Sequence, residues 1–238
     1  MTAGARAAPE PERVRTMFDG IAGRYDLMNN IISAGRHHRW RQLAADAAAI
    51  GPGMSALDVC CGTGEMAFAL ADRVGPTGRV FGVDFSRRML EIARQKAIRQ
   101  GAAVQFSLGD ASQLELEPDA FDACTVGFGV RNIPGLAGVF AEMNRVVRPG
   151  GRVVCLEITR PIRPPFRQFY RIWFDGVVPA LGRIVSRHES AYSYLPASVR
   201  RFPAAAELAA IMREAGLQQV GYRLLAGGII ALHWGKAT

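Results

Sequence analysis

At 238 residues, with hydrophobic residues making up 49% and charged residues 21%, the chain has the composition of one large folded domain. Its apolar runs fall well short of the roughly 18 residues of a spanning helix, and residues 1–12, rich in Ala, Gly and Pro without an apolar stretch, read as a flexible tail and not as a secretory signal. The formal charge of +8 sits in two segments, residues 13–41 (six Arg against Asp19 and Asp26) and residues 160–187 (six Arg against Asp175), a distribution that asks for an anionic partner: nucleic acid, an acidic ligand or a negatively charged membrane face.

Residues 13–50 read as a helical cap. Its last helix, His37 to Ile50, is Ala-rich and is stopped by Gly51-Pro52-Gly53. The pattern then changes. Met54 to Cys61 is a short apolar strand, Gly62 to Gly64 a turn, and Glu65 to Val74 a helix. Arg79 to Val83 is the second strand, after which Ser86 caps a helix running to about Gln100. Val104 to Leu108 and Phe121 to Val126 are further strands. Leu136 to Val147 is a helix closed by Pro149-Gly150-Gly151, and Arg152 to Ile158 is a strand. Residues 160–201 interrupt the alternation and read as a helical insertion over the active-site edge. A helix at Ala204 to Ala215 and two strands, Gln219 to Leu225 and Gly228 to Trp234, close the chain. Strands alternating with helices make an α/β fold with a parallel sheet covered on both faces. The closing strand pair adds one antiparallel strand. The expected architecture is therefore a single domain over residues 13–238, with a seven-stranded, mostly parallel sheet.

Cys60, Cys61, Cys124 and Cys155 all sit in apolar runs and form no C-x-x-C pair, so they read as buried free thiols of a reducing cytosol. With His37, His38, His188 and His233 they show no metal-ligand spacing, and no metal site is expected.

The strongest chemical signal is Leu57-Asp58-Val59-Cys60-Cys61-Gly62-Thr63-Gly64-Glu65. A strand followed by glycines lets a ligand approach the backbone, and the next helix offers its N-terminal amides. Gly62, Gly64 and Ala67 also satisfy the G-x-G-x-x-G/A pattern of dinucleotide binders, so a nicotinamide-dependent oxidoreductase is a rival. Two acids separate the readings. Asp84 ends the second strand, placed for both ribose hydroxyls. Asp110, in Gly109-Asp110-Ala111, follows the third, placed for an adenine amino group. Acids at both tips suit a cationic sulfonium cofactor, S-adenosylmethionine, and do little for a pyrophosphate.

Tyr25-Asp26-Leu27-Met28-Asn29, followed by Ile32-Ser33, His37 and Trp40, resembles Y-D-x-M-N-x-x-I-S-x-x-x-H-x-x-W, the signature of the ubiquinone/menaquinone biosynthesis C-methyltransferase family, and matches it over sixteen positions. Phe128-Gly129-Val130-Arg131-Asn132, Arg145 to Gly151 with Leu156-Glu157, and Tyr192 to Leu195 are similar to further blocks of that family. The resemblance covers nearly everything after residue 13. It implies a class I S-adenosylmethionine-dependent methyltransferase fold and methyl transfer to an unsubstituted ring carbon of a prenylated quinol. By position it implies cofactor contacts from Gly62, Thr63, Gly64, Asp84, Asp110, Ala111 and Gly127, and quinol contacts from Arg131, Asn132 and Tyr25. Glu65 stands where the family usually has Asp, Gly127 where many members have Ser (which removes one hydroxyl), and Thr159 where Ser is commoner. Cys60-Cys61-Gly62-Thr63-Gly64 looks like the menaquinone-pathway members, favouring demethylmenaquinol over the benzoquinol of ubiquinone synthesis.

A ring carbon becomes a good nucleophile once an adjacent hydroxyl is ionised. The sequence places no His as base by any motif. Arg131 is therefore expected to stabilise the developing phenolate, with Glu65 and Asn132 orienting a water and Tyr25 bonding the ring oxygen. Trp40 reads as a helix anchor and His37 as a helix-surface or capping residue. In the insertion, Phe166, Phe169, Tyr170, Trp173, Phe174, Val177, Val178, Leu181, Ile184 and Val185 recur at helical spacing, with Arg167 and Arg171 off the stripe and Pro179 interrupting it. The stripe suits a lid packed on the core and a wall for a prenyl tail, beside a basic rim for anionic lipid. The expected setting is cytoplasmic and peripheral at the inner membrane face, and a homodimer is left open. An RNA methyltransferase, suggested by the charge, would need an RNA-binding module or target-base motif, neither of which is recognisable, so no nucleic-acid partner is expected. A catalytically silent scaffold of quinone synthesis is disfavoured by the intact Gly62, Gly64, Asp84 and Asp110.

Overall fold

The computed structural model describes residues 11–161, 164–166, 168, 172–177 and 189–238. Most of the expected tail lies outside these, as do Phe169, Tyr170, Val178, Leu181, Ile184 and Val185 of the stripe, with Arg167, Arg171 and Pro179.

The cap is three helices: α1 (Pro11–Ile21), α2 (Tyr25–Ser33) and α3 (Arg36–Ala47), with a single 3-10 turn, Ala22–Arg24, between the first two. α1 begins inside the expected tail, at a proline, whose missing N–H is no loss in a first helical turn. Ala34 (φ +49°) and Gly35 (φ +73°) turn the chain between α2 and α3. Then come β1 (Ser55–Val59), α4 (Glu65–Val74), β2 (Arg79–Asp84), α5 (Arg87–Gln100), β3 (Val104–Leu108), β4 (Phe121–Gly127), α6 (Leu136–Val146) and β5 (Val147–Ile158). A short π-helical segment, Ile172–Val177, follows, then α7 (Glu189–Arg201), α8 (Ala205–Glu214), β6 (Gln218–Leu225) and β7 (Ile230–Lys236). Ser86 caps α5 as expected, its Oγ accepting from Met89 N at 3.1 Å.

β5 differs from expectation. Pro149-Gly150-Gly151 does not separate helix from strand, because the strand begins at Val147, paired with Phe121, and regains register at Arg152 opposite Ala123 after a bulge. Proline is tolerated at such a bulge, where the ladder does not need its N–H.

The sheet order is β3-β2-β1-β4-β5-β7-β6. β1 to β5 run parallel, and β7 runs antiparallel to both its neighbours, the one reversed strand expected. Period-two alternation builds two cores. Leu57, Val59, Cys124, Val126, Val153 and Cys155 pack with Val139, Phe140 and Met143 of α6 and Leu208 and Met212 of α8. The intervening Ala56, Ala123, Val154 and Leu156 pack with Ala44 and Ala45 of α3 and Met66, Ala69 and Leu70 of α4. Truncating Phe140, fully buried, to Ala would cost about 3–5 kcal/mol. The strand order reverses direction between β1 and β4, and the crevice beyond the carboxyl ends of strands at such a switch point is where open α/β sheets take ligands.

Candidate active site

β1 delivers the chain into the glycine turn at that switch point. Cys60 (φ +55°) and Gly62 (φ +54°) both take left-handed backbone. Gly62 donates its N–H to Asp84 Oδ2 at 2.8 Å, and Ser86 donates its N–H to Asp84 Oδ1 at 2.9 Å. The carboxylate at the tip of β2 is thus clamped, with lone pairs left for hydroxyl donors. Burial raises Asp84 from 3.8 to about 6, the charge of Asp19 adding to it. Asp19 comes from α1 and accepts from Ser86 Oγ at 2.5 Å. Gly129 holds the opposite wall close: a Cβ there would stand 2.4 Å from Cys60 Cβ, so only glycine lets the β4 loop lie against the β1 turn.

Between these loops is a cavity of about 200 Å³ lined by Gly62, Asp84, Asp110, Ala111, Gly127 and Asn132, among others. Asp110 Oδ1 accepts from the Ser112 N–H and hydroxyl at 2.8 and 2.7 Å, which fixes the loop after β3. The Asn132 Oδ1 is buried without a partner among the described residues. Val14 and Phe18 of α1 line the same space, so the cap covers it.

Three expected residues line neither this cavity nor the second. Thr63, 2% exposed, gives its hydroxyl to Asp26 Oδ1 at 2.7 Å. Gly64 (φ +88°) ends the turn as N-cap of α4. Glu65 is held by Lys96 Nζ at 2.6 Å, with His38 Nδ1 at 3.5 Å from its other oxygen. Lys96 also bonds Asp26 at 2.6 Å. Glu65 therefore belongs to an ion cluster that ties α2 to α4 and α5, away from Asn132's side of the cavity.

The second cavity, about 340 Å³, is largely apolar and is walled by Ile21, Met28, Ile32, Trp40, Trp173 and Ile229, among others. Arg131 lines it. Its Nη1 donates to Glu157 Oε1 at 2.8 Å and to the Phe128 carbonyl, while its Nε is buried without a partner among the described residues. Glu157, 1% exposed in its side chain, is pushed upward by burial and pulled back by Arg131. His37 is not on a surface. It is 3% exposed, lines the apolar cavity, and faces Asn30 Oδ1 through Nε2 at 2.8 Å. Burial and the charge of Arg41 lower it to about 3, so the ring is neutral. Phe18, Tyr25 and Phe128 line both cavities. Phe128 does so with φ at +62°, a strained conformation for a non-glycine residue.

The sequence matches the ubiE/COQ5 methyltransferase family over residues 7–237. The chain belongs to that family. Demethylmenaquinone methyltransferase of Staphylococcus aureus strain JH9 is 42% identical over 224 residues, covering 94% of this chain and 92% of the relative, and the protein of strain COL matches equally. Among solved structures, a SAM-dependent methyltransferase from Aquifex aeolicus aligns with TM-score 0.59 at 16% identity over 97% of this chain and all of that one. The [4+2]-cyclase SpnF aligns with TM-score 0.63 at 18% identity, over 98% and 99% of the two chains. Likenesses this remote establish the fold alone.

As a ubiE/COQ5 family member the chain is an S-adenosylmethionine-dependent methyltransferase. The smaller cavity fits that cofactor: two carboxylate-bearing tips, an unpartnered buried amide oxygen at Asn132, and a Gly62 whose Cβ would meet no protein atom within 4 Å. Sequence reasoning missed Phe18 and Arg41, and quoted Phe128 in a family block without giving it a role. It quoted Glu157 without giving it a role, since nothing local marks it as partner to Arg131 twenty-six positions away. Arg41 carried a signal: it lies one turn beyond His37, on the face of α3 that the signature's His37 and Trp40 already mark.

Proposed function

We propose that this chain transfers the methyl group of S-adenosylmethionine to an unsubstituted ring carbon of a prenylated naphthoquinol, turning demethylmenaquinol into menaquinol. The observation that carries this is the shared wall. Phe18, Tyr25 and Phe128 line both an acid-bearing cavity suited to a nucleoside and an apolar one of about 340 Å³ suited to a bicyclic ring. The 42% identical relative named for that activity supports the choice of naphthoquinol.

When bound, S-adenosylmethionine supplies an electrophilic methyl on a sulfonium that leaves with its electron pair as the ring carbon forms the new C–C bond. The quinol must lose a hydroxyl proton before attack and its ring C–H proton afterwards, and the ring oxygen then regains a proton, so that one proton is released per methyl transferred. Asp84 and Asp110 hold the nucleoside end, favouring a cation nearby. Asn132 offers its oxygen from the cofactor side, where it can orient a water that takes the proton. Arg131, fixed by Glu157, presents a permanent donor fork to the apolar cavity where negative charge develops on a ring oxygen. Tyr25 lines both cavities, which supports a hydrogen bond from its hydroxyl to that oxygen. Apolar walls exclude water, which strengthens each of these contacts.

Labelled methyl donor, demethylmenaquinol and its benzoquinol counterpart decide the reading. Label is expected in the naphthoquinol, with turnover lost in Arg131→Ala. Label only in the benzoquinol, or in neither, overturns it.

The prenyl tail supports a peripheral position on an anionic membrane. No helix among the described residues is long and apolar enough to cross a membrane. Leu27, Phe166 and Ile172 are 52%, 45% and 69% exposed, and Ile172 adjoins Trp173 of the cavity wall. Salt-sensitive binding to anionic vesicles is expected, and equal binding to neutral ones would remove the electrostatic part.

A further inference from the structure

We propose that Arg41 is a second substrate-binding cation of the apolar cavity, holding a ring oxygen of the quinol in its ionised form. The proposal rests on the quinol reading above and adds to it a residue that nothing in the signature assigns.

Arg41 lines the apolar cavity and is 6% exposed. A buried guanidinium is costly unless an anion or several acceptors compensate it. Arg131 has such an anion in Glu157 at 2.8 Å. Arg41 has none: among the described residues no carboxylate lies within 4.0 Å of it. Its hydrogen bonds run from Nη1 alone, to His37 Nδ1 and, at 3.5 Å, to the His37 carbonyl. Nε and Nη2 have no acceptor among the described residues. Of the two buried cations of the cavity, Arg41 is therefore the one without a carboxylate partner among the described residues.

The surrounding groups hold this cation without cancelling it. His37 presents Nε2 to Asn30 Oδ1, which leaves the Nδ1 lone pair for Arg41, and the ring is neutral at any physiological pH. Phe128 lies under the guanidinium, its ring centroid 5.2 Å from Arg41 Cζ, a face that attracts a cation without neutralising it. The Phe128 carbonyl meanwhile accepts from Arg131. One residue of the shared wall thus carries a cation on its ring and another on its carbonyl. A quinol, with oxygens at both ends of its ring, matches the two buried cations of the cavity, Arg41 and Arg131; the third arginine of the lining, Arg36, is exposed. The charged and titratable groups around Arg41 include Arg36, His37 and His38 on α3, Asp58 on β1, Arg131 after β4 with its partner Glu157 on β5, Tyr25 on α2 and Tyr194 on α7. Of these, Asp58 acts on Arg41 from within the sheet, and burial raises it to about 7, so near neutrality it offsets only part of the charge.

The test uses the full chain and a simple naphthol whose ionised form absorbs at longer wavelength. In the wild type the bound naphthol should ionise about 1–3 pH units below its free value. Arg41→Gln should move that midpoint back by about a unit or more, and Arg41→Lys should keep most of the shift. For quinol methylation, Arg41→Gln should lower kcat/KM and move the acid limb of its pH profile upward. S-adenosylhomocysteine affinity should be unchanged in both variants, since Arg41 does not line the cofactor cavity. A wild-type midpoint at the free value, absence of naphthol binding, or an Arg41→Gln midpoint equal to the wild type's each overturns the proposal. A chain that ionises naphthol as stated but methylates no quinol sinks the quinol reading instead.

Discussion

The Thr63 hydroxyl donates to Asp26 Oδ1 at 2.7 Å, joining the cofactor turn to the helix that walls the apolar cavity. Asp26 also meets Lys96 at 2.6 Å, and Lys96 meets Glu65 at the same distance. Asp26→Ala leaves a buried hydroxyl without its acceptor and Lys96 with one carboxylate. With Asp26 about one-third exposed, the expected loss is only about 1 kcal/mol. It falls on the docking of α2 rather than on the sheet. Hydrogen exchange should therefore quicken over residues 25–33 while β1 and β4 keep their protection, and KM for the quinol should rise several-fold. Uniform loss of protection would show that the contact stabilises the whole domain instead.

Asp84 makes cofactor binding depend on pH. Burial raises it from 3.8 to about 6, so below that value the free protein carries a neutral carboxyl with fewer acceptor sites. A ligand that needs the carboxylate must expel the proton. Its affinity is level above about pH 7 and falls by about tenfold per unit below pH 6. Calorimetry with S-adenosylhomocysteine reads this directly, and Asp84→Asn should bind weakly with the slope removed.

The Arg131–Glu157 pair is buried on both sides. Glu157→Ala leaves the guanidinium without its anion and should cost about 3–5 kcal/mol. Glu157→Gln keeps an acceptor for Arg131 and should cost less. Urea midpoints with unchanged m-values measure both, and a smaller loss in Ala than in Gln would contradict a structural role for the charge.

Asp58 should make stability fall with pH. Its Oδ1 accepts from Thr125 at 2.8 Å, its Oδ2 has no partner among the described residues, and burial raises it from 3.8 to about 7. The folded state therefore binds this proton more tightly than the unfolded chain does. The contribution is fully favourable below about pH 4 and is lost as pH rises to about 7. Asp58→Asn has no such loss, so its melting temperature should gain on the wild type between pH 5 and pH 8. A constant difference across that range would show that Asp58 is already ionised when folded.

Much of the sheet was legible because strands buried on both faces read as mainly apolar runs, as in Ser55–Val59, where every residue is buried and only Ser55 and Asp58 are polar. Gly62 and Asp84 were legible too, since a turn and a strand tip have local signatures. What escaped is non-local. The strand through Pro149 exists because Val147 finds Phe121, and no breaker rule weighs a partner. His37 and Arg41 sit in an Arg-rich stretch that reads as solvated, yet α2 folds over them. Glu65, read beside Asn132, is claimed by Lys96, thirty-one positions along the chain. Charge partners at that separation leave no mark in spacing.

Phe18 and Tyr25 stand over both ligand spaces and belong to one continuous stretch of cap, α1 through the start of α2. Any displacement of that stretch therefore reshapes the walls of both spaces together, and neither can be widened there without the other.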